Sequence, residues 1–292
     1  MKMKTLYQKY FERIWIRIFL PSVALRPYII KYMIYENASC HLRDIPFRAL
    51  PNGYVELFFH LNGSNVHFHE KRSLTRRKCF LAGIFELTYP LKIKVATTDE
   101  CFRGLSVTFT HKGVNKLLGV PLFALTNRII DVETFWDSEG HKLIQRLIHS
   151  ISDEERTRIL NRFFLYKLNH EQGVNQNNIQ WILDHLEEKT GKITVDEVAH
   201  HLDLSYKTLY RKFHDHMGLC PKSYLRILRF NRACRLLNQY PDINWGELVY
   251  RCGYYDQPHF IKEFHSIMKE SPTQFIKTTG GNFYLNRPYC FR

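Results

Sequence analysis

Two short stretches of this 292-residue chain concentrate side chains able to read or grip a nucleic acid. In the first, Ser205-Tyr-Lys-Thr-Leu-Tyr-Arg-Lys-Phe213, Leu209 and Phe213 lie four apart and share one buried face of a helix. Tyr206, Lys207, Tyr210 and Arg211 then cannot all be core. Arg and Lys can donate to guanine O6 and N7 or neutralise a phosphate, and Tyr can pack on a thymine methyl. In the second stretch, Gln257, Pro258, His259 and Lys262 surround Phe260 and Phe264 in the same way. A glutamine amide matches adenine in bidentate fashion, and a proline is tolerated in the first turn of a helix. A solvated face has the same composition, so residue types alone leave both readings open.

Other chemistry is thinner. His67 and His69 project from one strand face, with His60 nearby in sequence, but no later histidine stands at ligand spacing. The expectation is solvated strand histidines, no metal and no cofactor. The chain has no nucleophile elbow, phosphate loop, H-E-x-x-H or dinucleotide fingerprint, so no enzyme is expected. Seven scattered cysteines without a C-x-x-C argue against a disulfide framework and for a reducing, cytoplasmic setting.

Formal net charge is +14, which favours a polyanionic partner. The charge is unevenly placed. Residues 1–174 hold about 26 Lys and Arg against about 16 Asp and Glu, whereas 175–278 hold about 14 against about 12. Any case for DNA must therefore rest on where the C-terminal charges sit.

These residues need elements to position them. Between about 20 and 130, runs such as Tyr28–Tyr35, Tyr54–Leu61, Leu91–Val95 and Leu105–Phe109 are rich in β-branched and aromatic residues, with turns at Pro51-Asn-Gly and Asn62-Gly. They predict a small barrel or sandwich. Charged residues interrupt the start of the chain, which predicts neither a leader nor a membrane span but an amphipathic helix. From 139 to 170 the period turns helical: Leu143, Ile144, Leu147, Ile148 and Ile151 form one stripe, Ile159, Leu160, Phe163 and Phe164 another. These stripes either cover the strand core or pair two copies as a homodimer. Polar residues 171–178 read as a linker, and seven helical segments follow.

Those segments repeat at about 50 residues. Ile193 aligns with Ile243, and Thr194 with Asn244 as caps. Glu197 aligns with Glu247 as capping-box partners, Ala199 with Val249, Leu202 with Cys252, and Asp203 with Gly253. After a one-residue insertion, Leu209 aligns with Phe260, Phe213 with Phe264, Pro221 with Pro272 and Tyr224 with Phe275. Each copy is a short capped helix, a turn needing positive φ, and a second anchored helix: a helix-turn-helix. The helix between them, about Pro221 to Gln239, is roughly 28 Å long, near the 34 Å between successive major grooves.

Residues 179–278 resemble the AraC/XylS family of transcription regulators. The carriers are Ala199 with Leu202, Ser205-Tyr-Lys-Thr-Leu-Tyr-Arg-Lys-Phe213, Gly218-Leu-Cys-Pro-Lys-Ser-Tyr224, then Arg229, Ala233 and Leu237. They continue through Gly253-Tyr-Tyr-Asp-Gln-Pro-His-Phe-Ile-Lys-Glu-Phe264 and Ser271-Pro-Thr-Gln-Phe275. Two positions depart from the pattern: Asp203 replaces the usual turn glycine, and Lys269 another glycine before Ser-Pro. Residues 20–165 more loosely resemble the cupin-like N-terminal domain of some of these regulators, through Pro21, Leu25, Tyr28, Pro51-Asn-Gly-Tyr-Val-Glu-Leu, Gly83 and Leu118-Gly-Val-Pro.

The resemblance implies a two-domain α+β chain. It would have an extension (1–19), a β-rich sensing or oligomerising domain with a helical end (20–170), a linker (171–178), a double helix-turn-helix domain (179–278) and a tail (279–292). It implies DNA contacts from Ser205, Tyr206, Lys207, Tyr210, Arg211, Gln257, Pro258, His259 and Lys262. Arg226, Arg229, Arg232 and Arg235 recur every third residue along the 221–239 helix; phosphate-contact candidates are Thr194, Arg226, Arg229 and Arg232, with a structural ion pair as the alternative for Arg229. The implied partners are double-stranded DNA, a small-molecule effector of unknown identity and RNA polymerase, with activation favoured over repression. Competing readings are a metal-dependent cupin-type enzyme with an accessory DNA module, and a DNA-compacting architectural protein.

Overall fold

The computed structural model describes residues 14–37, 44–49, 51–61, 65–68, 79–87, 89–94, 102–170, 186, 193–240 and 242–279. The first half is built on antiparallel sheets. Strands β1 (Ile14–Phe19), β2 (Ile29–Asn37), β4 (Val55–His60), β6 (Cys79–Ala82), β8 (Arg103–Phe109) and β9 (Ile129–Asp131) form one, in the order β1-β2-β8-β4-β6-β9. Strands β3 (Asp44–Ala49), β5 (Asn65–Phe68) and β7 (Tyr89–Lys94) form a second, in the order β3-β7-β5. The expected N-terminal helix is corrected at Ile14–Phe19, which is a strand paired with β2 from Ile14↔Asn37 to Phe19↔Tyr32. Its β-branched and aromatic residues suit a pleated surface, and β2 supplies the ladder that a lone amphipathic turn lacks.

Alternation gives the larger sheet two different faces. Tyr32, Val107, Leu57 and Leu81 are cross-strand neighbours, and with Ile34, Leu105 and Phe59 they form a fully buried apolar face. The opposite face carries a polar row, Lys31, Thr108 and Glu56, beside an aromatic one around Phe58, Phe80 and His60. Burial pushes the Glu56 carboxyl up, against the opposing pull of Lys31. His60 is enclosed by Phe58, Phe102 and Phe80, at ring separations of 5.2, 5.7 and 6.3 Å. It is buried, not solvated as expected, because its strand position faces this aromatic row. Desolvation pulls its pKa down to about 3.

Helices cover the apolar face. The short α1 (His111–Gly113) runs into a π turn (Val114–Leu118), followed by α2 (Leu122–Leu125), α3 (Glu133–His149) and α4 (Asp153–His170). Leu143, Ile144, Leu147, Leu160 and Phe164 join the same core cluster as the sheet, so the helical stripes cover the strand core. Ile151 is the exception: it lies in the turn beyond α3 and is 94% exposed. Asn161 fastens α4 by accepting from the Tyr32 hydroxyl and the Ser22 amide, both at 3.0 Å.

The second half is helical: α5 (Val195–His201), α6 (Tyr206–Met217), α7 (Pro221–Gln239), α8 (Trp245–Cys252), α9 (Gln257–Met268) and α10 (Pro272–Thr279). The expected linker lies outside the described residues, as does the first expected helix apart from the buried Leu186. Packing does not divide at that linker. One apolar cluster runs from Leu25 through the sheet to Leu209, Phe213, Met217, Tyr224 and Ile227, while a second gathers Phe230, Ala233, Leu248, Phe260, Phe264 and Phe275. Helix α7 contributes to both.

The continuity arises where α2 sits on the end of α6. Thr126 donates its hydroxyl proton to the Met217 carbonyl, one of the orphan acceptors at the helix C-terminus. Gly218 caps α6 at φ 65, and a Cβ there would meet the Phe123 Cα at 3.0 Å. A second contact places Tyr224 edge-on to His111, at 5.8 Å, while His111 Nε2 bonds the Gly53 carbonyl at 2.9 Å.

Two outcomes follow. Gly218→Ala suffers both a left-handed backbone cost of about 1–2 kcal/mol and a backbone clash across the contact, so the midpoint of urea unfolding falls. For His60, the folded pKa lies below the unfolded value of 6.5. Its neutral form therefore supports the fold at neutral pH, and that support is lost as pH drops below 6.5 towards 3. Stability falls by about 2 kcal/mol from this group between pH 7 and 5, and His60→Phe removes that part of the slope in denaturant titrations.

Candidate nucleic-acid interface

The first reading helix is held by its neighbours in sequence. Thr194 caps α5 through a complete capping box: its Oγ1 accepts the Glu197 amide at 3.2 Å, and Glu197 accepts the Thr194 amide at 2.7 Å. These bonds hold the Glu197 carboxyl below its ordinary range. Asp203 then takes φ 50, the left-handed turn that its aligned partner Gly253 makes at φ 74. Ser205 caps α6 by accepting the Thr208 amide at 3.2 Å. Leu209 and Phe213 are fully buried, which orients the opposite face outward.

Tyr206, Lys207 and Arg211 are exposed on that face, and neither Lys207 nor Arg211 is engaged by a carboxylate among the described residues. Tyr206 and Tyr210 lie at i, i+4 with ring centres 4.5 Å apart, and the Tyr206 hydroxyl donates to that of Tyr210 at 2.9 Å. The two hydroxyls share one proton-bridged contact, and that interaction, with burial second, pushes the Tyr210 phenol up to about 12. The four-residue spacing signalled this pair in the sequence, although only the individual rings were read from it.

The second unit repeats the design with one change. Asn244 caps α8 by accepting the Gly246 amide at 2.8 Å, so the expected reciprocal role of Glu247 is corrected: Glu247 instead pairs with Arg251 at 2.6 Å. A cap closed two residues on leaves the Glu247 side chain to reach along the helix. Asp256 caps α9 through the His259 amide at 2.7 Å, and Phe260 and Phe264 are buried in the places of Leu209 and Phe213. Gln257, Pro258, His259 and Lys262 are exposed together. Lys269 ends the helix at φ 60, the conformation its glycine counterpart Gly218 takes at φ 65. Both departures from the family pattern therefore preserve the turn geometry, at the cost of strain in a non-glycine residue.

Helix α7 braces α9. Arg226 donates to Ser266 Oγ, and Arg229 pairs with Glu263 at 3.1 Å, with side-chain exposures of 16% and 9%. Arg229 also lies over the Tyr254 ring at 5.8 Å. Of the two roles open to Arg229, the structure places it in the ion pair, facing protein. His259 is tied to the same group. Its Nδ1 accepts the Tyr255 amide at 3.3 Å, and its Nε2 lies 3.7 Å from Glu263 Oε2. Arg232 is half-buried on α7, and Thr194 is occupied by its cap. Among the described residues, no group of three metal-ligating side chains occurs; His69 lies outside them, and only the strand of His67 is described.

Residues 198–278 match the helix-turn-helix domain family, and residues 17–131 match a domain family of unknown function. The chain is 30% identical over 132 residues to the HTH-type transcriptional activator RhaS of Enterobacter sp. (strain 638), covering 43% of this chain and 46% of that protein. It is 36% identical over 104 residues to RhaS of Salmonella newport, covering 36% of each. The chain thus spans less than half the length of these relatives. Among solved structures, ToxT from Vibrio cholerae O395 aligns over 87% of this chain and 99% of its own, at 14% identity and TM-score 0.45.

The buried pair makes a sharp prediction. Arg229→Ala strands Glu263 and costs about 3 kcal/mol, whereas Arg229→Met with Glu263→Leu together cost far less. Thermal or urea unfolding of the single and double variants measures the difference.

Proposed function

We propose that this chain, whose residues 198–278 match the helix-turn-helix domain family, is a regulator of the AraC/XylS type that binds DNA sequence-specifically and acts as an activator. Helix α6 enters one major groove of double-stranded DNA and α9 the next, with α7 as the spacer between them. The observation that carries this reading is the free outer face of α6. Its inner face is locked into a core and its C-terminus is held by α2, yet Tyr206 remains 49% exposed beside Lys207 and Arg211.

In this reading Lys207, Tyr210 and Arg211 touch bases or the adjoining phosphates, with Ser205 and Tyr206 at the groove edge. Gln257, Pro258, His259 and Lys262 read the second half-site. Arg226 and Arg229 act as braces for α9. The domain of residues 20–170 is the regulatory one, and the contact of Thr126 and Phe123 with the end of α6 is the route by which an effector changes DNA affinity. The partner in activation is RNA polymerase, and the setting is the cytoplasm; among the described residues no helix is long and apolar enough to cross a membrane.

The test is a gel-shift series on promoter fragments. Arg211→Ala and Lys207→Ala each weaken specific binding by about 1–3 kcal/mol, and loss of a phosphate contact also lowers the salt slope by about 1. Unchanged specific binding in both variants refutes the assignment of α6. A cognate-to-random affinity ratio near one, instead of at least about 10³, would favour the architectural reading.

A further inference from the structure

A second concentration of positive charge lies far in sequence from the reading helices. The α3–α4 hairpin forms a groove of about 340 Å³ lined by Arg146, His149, Glu155, Arg158, Ile159 and Arg162. Three arginines line it against a single lining carboxylate, Glu155, and the neighbouring Asp153 and Glu139 are paired with other cations. Asp153 is held between Arg156 at 2.9 Å and Arg17 at 2.7 Å. Glu139 pairs with Lys167 at 2.6 Å. Glu155 accepts the Ile151 amide at 2.9 Å. Among the described residues, Arg146, Arg158 and Arg162 have no carboxylate partner.

Helix electrostatics account for part of this set only. Arg146 and His149 sit in the last turn of α3, where a cation is favoured. Arg158 lies in the N-terminal half of α4 with Arg162 four residues on, a like-charged spacing that is unfavourable on a helix. The one apolar residue of the lining is Ile159, which is nearly buried. A volume of this size suits a small molecule, and arginine forks suit phosphate or carboxylate in bidentate fashion. A second copy of the chain is a poor occupant, because a two-fold contact through this face sets arginine against arginine.

We infer that the α3–α4 groove binds a compact polyanion bearing two or more phosphate or carboxylate groups, at a site separate from the DNA-reading faces. The planar guanidinium forks of Arg158 and Arg162 grip the anion from one helix, Arg146 closes from the other, and Ile159 meets the carbon skeleton. Such a ligand neutralises a hairpin that packs directly on the sheet core.

Calorimetric titration of the full chain tests this, with pyrophosphate in one arm and citrate in the other to distinguish phosphate from carboxylate ligands. Saturable binding is expected in at least one arm. It is retained in Lys207→Ala/Arg211→Ala, weakened at least tenfold in Arg158→Ala/Arg162→Ala, and only partly restored in Arg158→Lys/Arg162→Lys. Arg146→Ala gives an independent, milder loss. The inference is overturned by binding in neither arm, by binding that survives in Arg158→Ala/Arg162→Ala, or by binding that disappears in Lys207→Ala/Arg211→Ala. It is equally overturned if Arg158→Ala/Arg162→Ala weakens DNA binding in a gel shift while leaving anion binding intact, since the groove would then be a phosphate-backbone contact.

Discussion

The hydrogen bond from Thr126 to the Met217 carbonyl, and the close approach of Phe123 to Gly218, hold the two halves of the molecule in one arrangement. A helix C-terminus offers carbonyls that must be satisfied, and a glycine cap allows a close backbone approach that a Cβ would crowd, here at 3.0 Å from the Phe123 Cα. Helix α2 uses both. The result is a first helix-turn-helix unit that shares its apolar core with the sheet domain, while its opposite face stays open. Movement of α2 cannot occur without disturbing the cap of α6, so the sheet half and the proposed reading helix are mechanically linked.

The two helix-turn-helix units are alike in sequence and unlike in support. The first is backed by the N-terminal half. The second is a cluster of its own, and α9 is oriented from within by Arg226 and Arg229 on α7. A buried ion pair is a weak source of stability but a strict one in geometry, because displacing either partner strands the other. His259 belongs to this arrangement through Glu263, so an exposed residue of the proposed second reading face is tied to a buried one.

Much of this was legible in the sequence because local rules and tertiary packing agree. Leu209, Phe213, Phe260 and Phe264 follow helical spacing and are buried; Thr194 and Asn244 are placed as caps by the repeat and do cap. Even the odd turn residues stand out, Asp203 opposite Gly253 in the repeat and Lys269 against the family pattern. What was not legible depended on long-range partners. Ile14–Phe19 became a strand because β2 was there to pair with it. His60 became buried because three phenyl rings arrive from other positions. Glu247 left its expected partner because a different residue closed the cap. The α2–α6 contact joins segments about 90 residues apart through a threonine and a glycine, neither of which announces a docking surface.

Helix α7 belongs to two cores at once, with Leu225 and Ile227 in one and Phe230 and Ala233 in the other. A rod embedded at both ends acts as a torsion bar. With its first part clamped to the sheet domain, thermal motion of the second unit becomes pivoting about that rod instead of free tumbling. If α6 and α9 read a duplex as proposed, adjustment to a bent or mis-spaced site falls on α9, because α6 is the one packed against the sheet domain.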